Sequence, residues 1–126
     1  MPDFELYFCT RPEIIGTRIK EGNLGYDHNY VLNSANNSIT LAARLKEPFS
    51  GRIVEVWTTQ PGMQLYTSNH LDGKLNGIGG AYTAHSAVCL ETQHFPDSIH
   101  HTNFPTCVLN PGETYKQTTV HKFVIE

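Results

Sequence analysis

The stretch Arg52-Ile53-Val54-Glu55-Val56-Trp57-Thr58-Thr59-Gln60-Pro61-Gly62-Met63-Gln64-Leu65-Tyr66-Thr67 decides the fold. β-Branched and aromatic residues dominate Arg52–Thr59, a composition that suits a pleated, half-buried surface. Pro61-Gly62 interrupts it, because proline has no N–H to give to a ladder. From Met63 to Thr67 the pattern alternates, with Met63, Leu65 and Thr67 on one side and Gln64 and Tyr66 on the other. That is the period of a strand with one wet face. Two strands around a Pro-Gly break, in a chain with no 3.6-residue periodicity, predict an all-β protein.

Working outward, the same grammar continues. Upstream, Glu5–Cys9 is a short β-like run and Arg11–Glu21, of mixed polarity behind Pro12, reads as connecting structure. Tyr30–Leu32 opens a strand that ends in the polar turn segment Asn33–Ser38, and Ile39–Leu45 is strand-like before Pro48. Phe49-Ser50-Gly51-Arg52 reads as a hairpin turn, since Gly51 tolerates positive φ. Downstream, the glycines at 73, 77, 79 and 80 predict a loop over Asp72–Gly80. His85–Thr92 is strand-like until Pro96, Asp97–Pro105 is a polar loop, and Thr118–Ile125 closes the chain as a strand. Several short strands between Gly/Pro turns predict a β-sandwich or an open sheet system. Neither an internal repeat nor a domain boundary is visible.

Composition narrows the function classes. The chain has 126 residues, 39% hydrophobic and 17% charged, the balance of a globular domain. Leu6–Cys9 is too short for a secretory signal, with Asp3 and Glu5 where basic residues belong. No stretch approaches the roughly 18 apolar residues of a membrane span. Nine Lys and Arg against twelve Asp and Glu give a net charge of -3 without a basic stripe, which argues against nucleic acid. Cys9, Cys89 and Cys107 form an odd, sparse set without CxxC, as a reducing cytoplasm permits. In Val88-Cys89-Leu90 the cysteine reads as a small buried hydrophobe. Asn36-Asn37-Ser38 is a formal glycosylation sequon of little weight without a secretory signal.

Three polar groups beside apolar runs could carry chemistry: Tyr26-Asp27-His28-Asn29, Gln60 to Asn69, and Glu91-Thr92-Gln93-His94. Glu91 is open to two readings. A partly buried carboxylate is tuned as a proton-transfer group, whereas one on a solvent face is only a solubilising charge. His85, His94, Asp97, His100 and His101 are close in sequence, but no zinc spacing fits them. In an extended chain His100 and His101 face opposite ways, so loop histidines are the better reading. Cys89 and His85 on one strand face would stand roughly 13 Å apart, too far for proton transfer. Aromatic residues interleaved with amides and carboxylates remain: Tyr26, Trp57, Tyr66, Tyr82 and Phe95 with Asn29, Gln64, Asn69 and Gln93. Sugar sites use such groups, ring faces on C–H surfaces and amides on hydroxyls. Trp57, inside a β-branched run, is better read as core.

These motifs, taken in order, resemble the C-terminal motifs of the aldose 1-epimerases. Gly25-Tyr26-Asp27-His28-Asn29-Tyr30 is similar to the family's G[YF]DHN[YF] segment, and Ser50–Thr67 to its SGR…EV…TT-x-PG-x-Q-x-YT signature. Asn69 and Leu71-Asp72-Gly73 continue it, followed by His85-Ser86, Cys89-Leu90-Glu91-Thr92-Gln93 and Phe95-Pro96-Asp97. Asn103-Phe104-Pro105 and Leu109-x-Pro111-Gly112-Glu113-x-Tyr115 complete the series. Ser68 and His70 stand where the family usually has Gly and Phe, and Ala87 where it has Gly.

The resemblance implies a large antiparallel β-sandwich (the galactose mutarotase-like supersandwich) of which residues 1–126 carry the C-terminal part. It implies mutarotation, the interconversion of α and β anomers of hexoses such as galactose and glucose, without cofactor or metal. Glu91 takes the role of general base, and Asp27 and Gln64 bind sugar hydroxyls, Gln64 in preference to Gln60. Gln60, Gln93, His28 and His94 support these residues. The family's acid is a histidine well before the YDHN motif, with a second histidine and an Asn-Arg pair farther upstream. The 26 residues before Asp27 hold no histidine. The expectation is therefore an incomplete site, with sheet edges and an apolar face left for a chain supplying the N-terminal part or for self-association. A non-catalytic carbohydrate-binding remnant and a β-edge interaction module are the alternatives.

Overall fold

The computed structural model describes residues 5–7, 12–19, 25–33 and 38–126. Among these are ten strands: β1 (Glu5–Tyr7), β2 (Glu13–Ile14), β3 (Asp27–Val31), β4 (Thr40–Glu47), β5 (Arg52–Thr58), β6 (Gly62–Tyr66), β7 (Asp72–Gly77), β8 (Gly80–Thr83), β9 (Cys89–Gln93) and β10 (Thr119–Ile125). Two short 3-10 turns, Ile15–Arg18 and Ser98–His100, are the helical elements among the described residues. A five-stranded sheet has the order β10-β5-β4-β1-β2, a three-stranded sheet the order β3-β6-β9, and β7-β8 is a separate hairpin. Every pairing is antiparallel.

The expected alternation around Pro61 builds the core. Val56 faces inward from β5, and Met63 and Leu65 from β6, each at most 1% exposed. They join Ile15, Ala42 and Ala43 in one cluster between the two larger sheets, with Tyr30, Leu45, Val54 and Leu90 packed around it. Ala42 and Ala43 are both buried because the β4–β5 register slips between Leu41 and Ala43, a bulge that turns two successive side chains off the normal alternation. Burying each Met or Leu side chain contributes about 1.5–3 kcal/mol. The bend Thr59-Gln60-Pro61 carries the chain from one sheet to the other, and Pro61 O accepts Leu32 N at 2.9 Å.

On the opposite face of the large sheet Glu55 meets Arg44 at 3.7 Å and Lys122 at 3.5 Å, and Arg44 also meets Glu126 at 2.6 Å. The Arg44 hydrogen bond holds the Glu126 carboxyl below the usual carboxylate range. The β4–β5 turn is closed by Glu47, whose carboxylate accepts the backbone N–H groups of Phe49 and Ser50, each at 2.8 Å. Gly51 takes the left-handed conformation expected of it, with φ 69°.

Several sequence expectations need correction. Asp72–Gly80 is not a loop: β7 pairs with β8 around Ile78-Gly79. Its register is irregular and its side chains mostly exposed, so backbone pairing forms it with no apolar alternation to advertise it. The strand expected over His85–Thr92 is confined to β9, because a Ser86 N–Thr83 O turn and a left-handed His85 (φ 62°) occupy its first residues. His85 and Cys89 therefore do not share a strand. The strand expected from Tyr30 begins at Asp27, its polar residues Asp27, His28 and Asn29 pairing with β6 as well as the apolar ones do. Trp57 is half-buried on the charged outer face, its indole N–H 3.3 Å from Glu55. Within Arg11–Glu21 the described residues include β2 and a 3-10 turn. Cys9 and most of Asn33–Ser38, with the sequon asparagines, lie outside the described residues.

Candidate active site

The outer face of the three-stranded sheet gathers the chemistry. Strand register sets Asp27 opposite Tyr66 and Tyr66 opposite Cys89, then Asn29 opposite Gln64 and Gln64 opposite Glu91, then Val31, Gly62 and Gln93. Because strand side chains alternate, these nine positions share one side, while His28, Tyr30, Met63, Leu65, Leu90 and Thr92 take the other. Three strands about 4.8 Å apart thus set these side chains in three rows on one surface.

Hydrogen bonds tie the rows together. Gln64 Nε2 donates to Asp27 Oδ1 at 2.7 Å, and Gln93 Nε2 donates to Asn29 Oδ1 at 3.1 Å and to Gln64 Oε1 at 3.5 Å. The amide relay fixes which end of Gln64 faces Asp27. Glu91 is exposed, and its carboxylate receives no hydrogen bond from the described residues, so its acceptor capacity remains open. Of the two readings of Glu91, the solvent-facing one describes its burial.

Asp27 is placed by the turn before it. Gly25 takes φ 108°. Thr67 Oγ1 accepts Tyr26 N at 2.9 Å, Asn69 Nδ2 donates to Tyr26 O at 2.8 Å, and Thr67 Oγ1 donates to Asn69 Oδ1 at 2.6 Å. Asn69, one of the amides expected to suit a sugar, instead holds this backbone. His85 Nδ1 lies 3.1 Å from Thr67 O behind the same turn.

Gln60, the rival of Gln64, is buried in the inter-sheet bend, its Nε2 donating to Tyr115 Oη at 3.1 Å. Cys89 corrects its reading as a buried hydrophobe. It is a half-buried free thiol on the polar face, pushed up in pKa by burial and then by the neighbouring Glu91 carboxylate. The ends of the face bring together Phe95, Asn29 and Tyr66, singled out in the sequence, with Gly62 and His70, whose place there was not. The Phe95 ring and the Asn29 amide lie over Gly62, so close that a Cβ there would meet them at 2.9 and 2.8 Å. At the other end the His70 ring stacks on Tyr66. Strand register is what groups these residues, and pairing partners are not written in local sequence.

The histidine-rich loop does something else. His100 and His101 do not face opposite ways: a 3-10 turn brings both to Asp97, His101 Nε2 at 3.3 Å and His100 Nδ1 in direct contact. Among the described residues no three His, Cys, Asp or Glu side chains converge as a metal site. A hollow of about 390 Å³ is lined by residues of the β7–β8 hairpin and the segments flanking it. Its lining of Leu71, Ile78, Gly79, Gly80, Ala81, Tyr82, Ser86 and Ala87 is mostly apolar and holds no carboxylate or imidazole.

An all-antiparallel frame of two packed sheets, one bearing a carboxylate–amide face, defines a β-sandwich protein. The family model described as aldose 1-epimerase matches residues 3–122, and the chain belongs to that family. It is 46% identical to the galactose mutarotase of Mus musculus over 117 residues, which cover 91% of this chain and 34% of that protein. It is 32% identical to the aldose 1-epimerase of Escherichia coli K12 over 104 residues, 81% of this chain and 30% of that protein. A solved aldose epimerase homologue from C. elegans superimposes with a TM-score of 0.74 at 24% identity, covering 91% of this chain and 35% of that one. The chain thus spans about a third of the length of the relatives it matches.

Proposed function

We propose that the polar face of β3, β6 and β9 is the sugar surface of a hexose mutarotase, acting on galactose or glucose, of which this chain carries the C-terminal part. Glu91 is the general base. It takes the proton of the anomeric hydroxyl; the bond from C1 to the ring oxygen breaks, and that oxygen takes a proton from an acid. The aldehyde turns about C1–C2 and closes on its other face with both proton transfers reversed. Asp27 and Gln64 bind hydroxyls, and Gln93 and Asn29 hold the Gln64 amide in one orientation. The observation that carries this reading is the convergence of Asp27, Gln64 and Glu91 from three strands on one face, with Asp27 and Gln64 joined at 2.7 Å.

In this reading the acid comes from the remaining part of the family fold. His28 lies on the other side of β3, His85 is tied to Thr67, His100 and His101 to Asp97, and His70 is stacked on Tyr66, a row away from Glu91. The isolated chain is therefore inactive, and a chain carrying the remaining part of the family fold restores turnover. The outer edge of β10 fits such a partner: it pairs only with β5 among the described residues, and its Phe123 and Ile125 are each 78% exposed. The sparse free thiols fit a cytoplasmic setting. Among the described residues no helix is long and apolar enough to cross a membrane.

Polarimetry of freshly dissolved α-D-galactose and α-D-glucose tests the proposal. The chain alone is expected to leave the buffer rate unchanged. Mixed with the N-terminal part of a full-length relative, it should accelerate mutarotation, and Glu91→Gln should abolish the gain. Acceleration that survives Glu91→Gln removes Glu91 as base. Galactose binding without turnover in the mixture favours the carbohydrate-binding alternative.

A further inference from the structure

His70 is the imidazole whose ring lies against a side chain of the polar face. Its ring is stacked on Tyr66, centroids 6.3 Å apart and planes 28° apart, and its backbone N–H donates to Tyr66 Oη at 3.3 Å. The turn that presents it is braced. Ser68, 3% exposed and left-handed (φ 55°), donates from Oγ to Ala87 O at 3.2 Å and accepts Leu71 N at 3.3 Å through its carbonyl. His70 itself is exposed. Its stacking and its backbone bond to Tyr66 leave ring nitrogens that, among the described residues, have no hydrogen-bond partner. A polar ring placed by a stack, with unused donor and acceptor capacity, suits hydroxyl recognition.

Its place along the face defines what it would read. Tyr66 belongs to the Asp27 row, one row of about 7 Å along the strands from the Glu91 row, and His70 stands beyond Tyr66. Resting on the function proposed above, we propose that His70 is a sugar-contacting residue. With the anomeric hydroxyl at Glu91, the pyranose extends over Gln64 and Asp27, and His70 hydrogen-bonds a hydroxyl at the far end, on C4 or C6. A hydrocarbon ring in this position would stack on Tyr66 equally well but could not tell one hydroxyl direction from another.

The test is an NMR titration of the full chain with galactose, 4-deoxygalactose and 6-deoxygalactose, for wild type, His70→Phe and His70→Gln. In the wild type galactose should shift the His70 ring signals together with the Gln64 side-chain amide. His70→Phe, which keeps the stack, should weaken galactose about fivefold, the factor of one net hydrogen bond. That penalty should vanish for the one deoxy sugar that lacks the hydroxyl being read, and His70→Gln should recover part of it. An equal penalty for all three sugars would mean that His70 acts only through Tyr66, and would overturn the inference. Shifts at Gln64 and Glu91 with none at His70 would also overturn it while leaving the proposed function standing. No shift at Gln64 or Glu91 would remove both.

Discussion

Gly25→Ala should damage this protein more than any exposed substitution, and the reason is local. Gly25 holds φ 108°, where an L side chain is strained by about 1–3 kcal/mol. A Cβ there would sit 2.3 Å from Asn69 Oδ1, 2.7 Å from Thr67 Oγ1 and 2.8 Å from His85 Cε1. None of these can retreat freely, because each belongs to a side chain bonded to the Tyr26 or Thr67 backbone. Overpacking of this kind costs about 1–3 kcal/mol. The two effects together give about 2–6 kcal/mol, against a typical net stability of about 5–15 kcal/mol. Urea denaturation followed by the fluorescence of Trp57 reads the loss. Asp27 lies two residues along the chain, so the Gln64 side-chain amide signal, which reports its bond to Asp27, should move as well. A loss below about 1 kcal/mol with an unmoved Gln64 amide would refute both the strain and the steric argument.

Other perturbations probe separate parts of the same frame. Leu65→Ala, at a 1% exposed position between the sheets, should cost about 2–5 kcal/mol in urea denaturation, and a loss under about 1 kcal/mol would mean that the two sheets do not share that core. At pH 8 iodoacetamide should label exposed Cys107 before Cys89 in peptide mapping; Glu91→Gln should speed Cys89 labelling, because it removes one of the two causes that push that thiol up. The Ser50 hydroxyl and then the Phe49 N–H hold the Glu47 carboxyl below its ordinary value, so its contribution is present above the unfolded-state pKa and lost as pH falls through the lower folded one. Hydrogen exchange at Phe49 and Ser50 should therefore quicken on acidification into that range in the wild type and be fast at every pH in Glu47→Ala.

The sequence made the strands around Pro61 legible because both kinds of signal coincide there, β-branched composition in β5 and strict alternation in β6. It failed at β7–β8, where strands form with almost no buried side chain, and at His85, whose left-handed backbone no β-propensity reveals. Motif resemblance singled out Asp27, Gln64 and Glu91, and register places all three on one face. Alternation alone would have paired Gln64 with Tyr66 but could not have said which strands lie alongside. Asn69 was misread because a side-chain amide that holds backbone and one that binds hydroxyls look identical in sequence. The support role expected of Gln93 appears as its bonds to Asn29 and Gln64, whereas Gln60 supports the inter-sheet bend instead.

What the polar face can do by itself follows from its exposure. Binding hydroxyls needs donors and acceptors in fixed positions, and the Gln93–Gln64–Asp27 relay provides them. Proton transfer asks for more. A carboxylate open to water, as Glu91 is here, is stabilised by its own hydration, and charge developing on a sugar oxygen beside it is screened by solvent. A base gains strength when the site is closed and a donor stands across the substrate from it. Phe95 and His70 stand at the two ends of the face, and Glu91 in its middle row is exposed. On the proposed function, recognition and turnover are therefore separable: β3, β6 and β9 would hold the aldose, and the closure needed to ionise its anomeric hydroxyl would come from chain that packs over them.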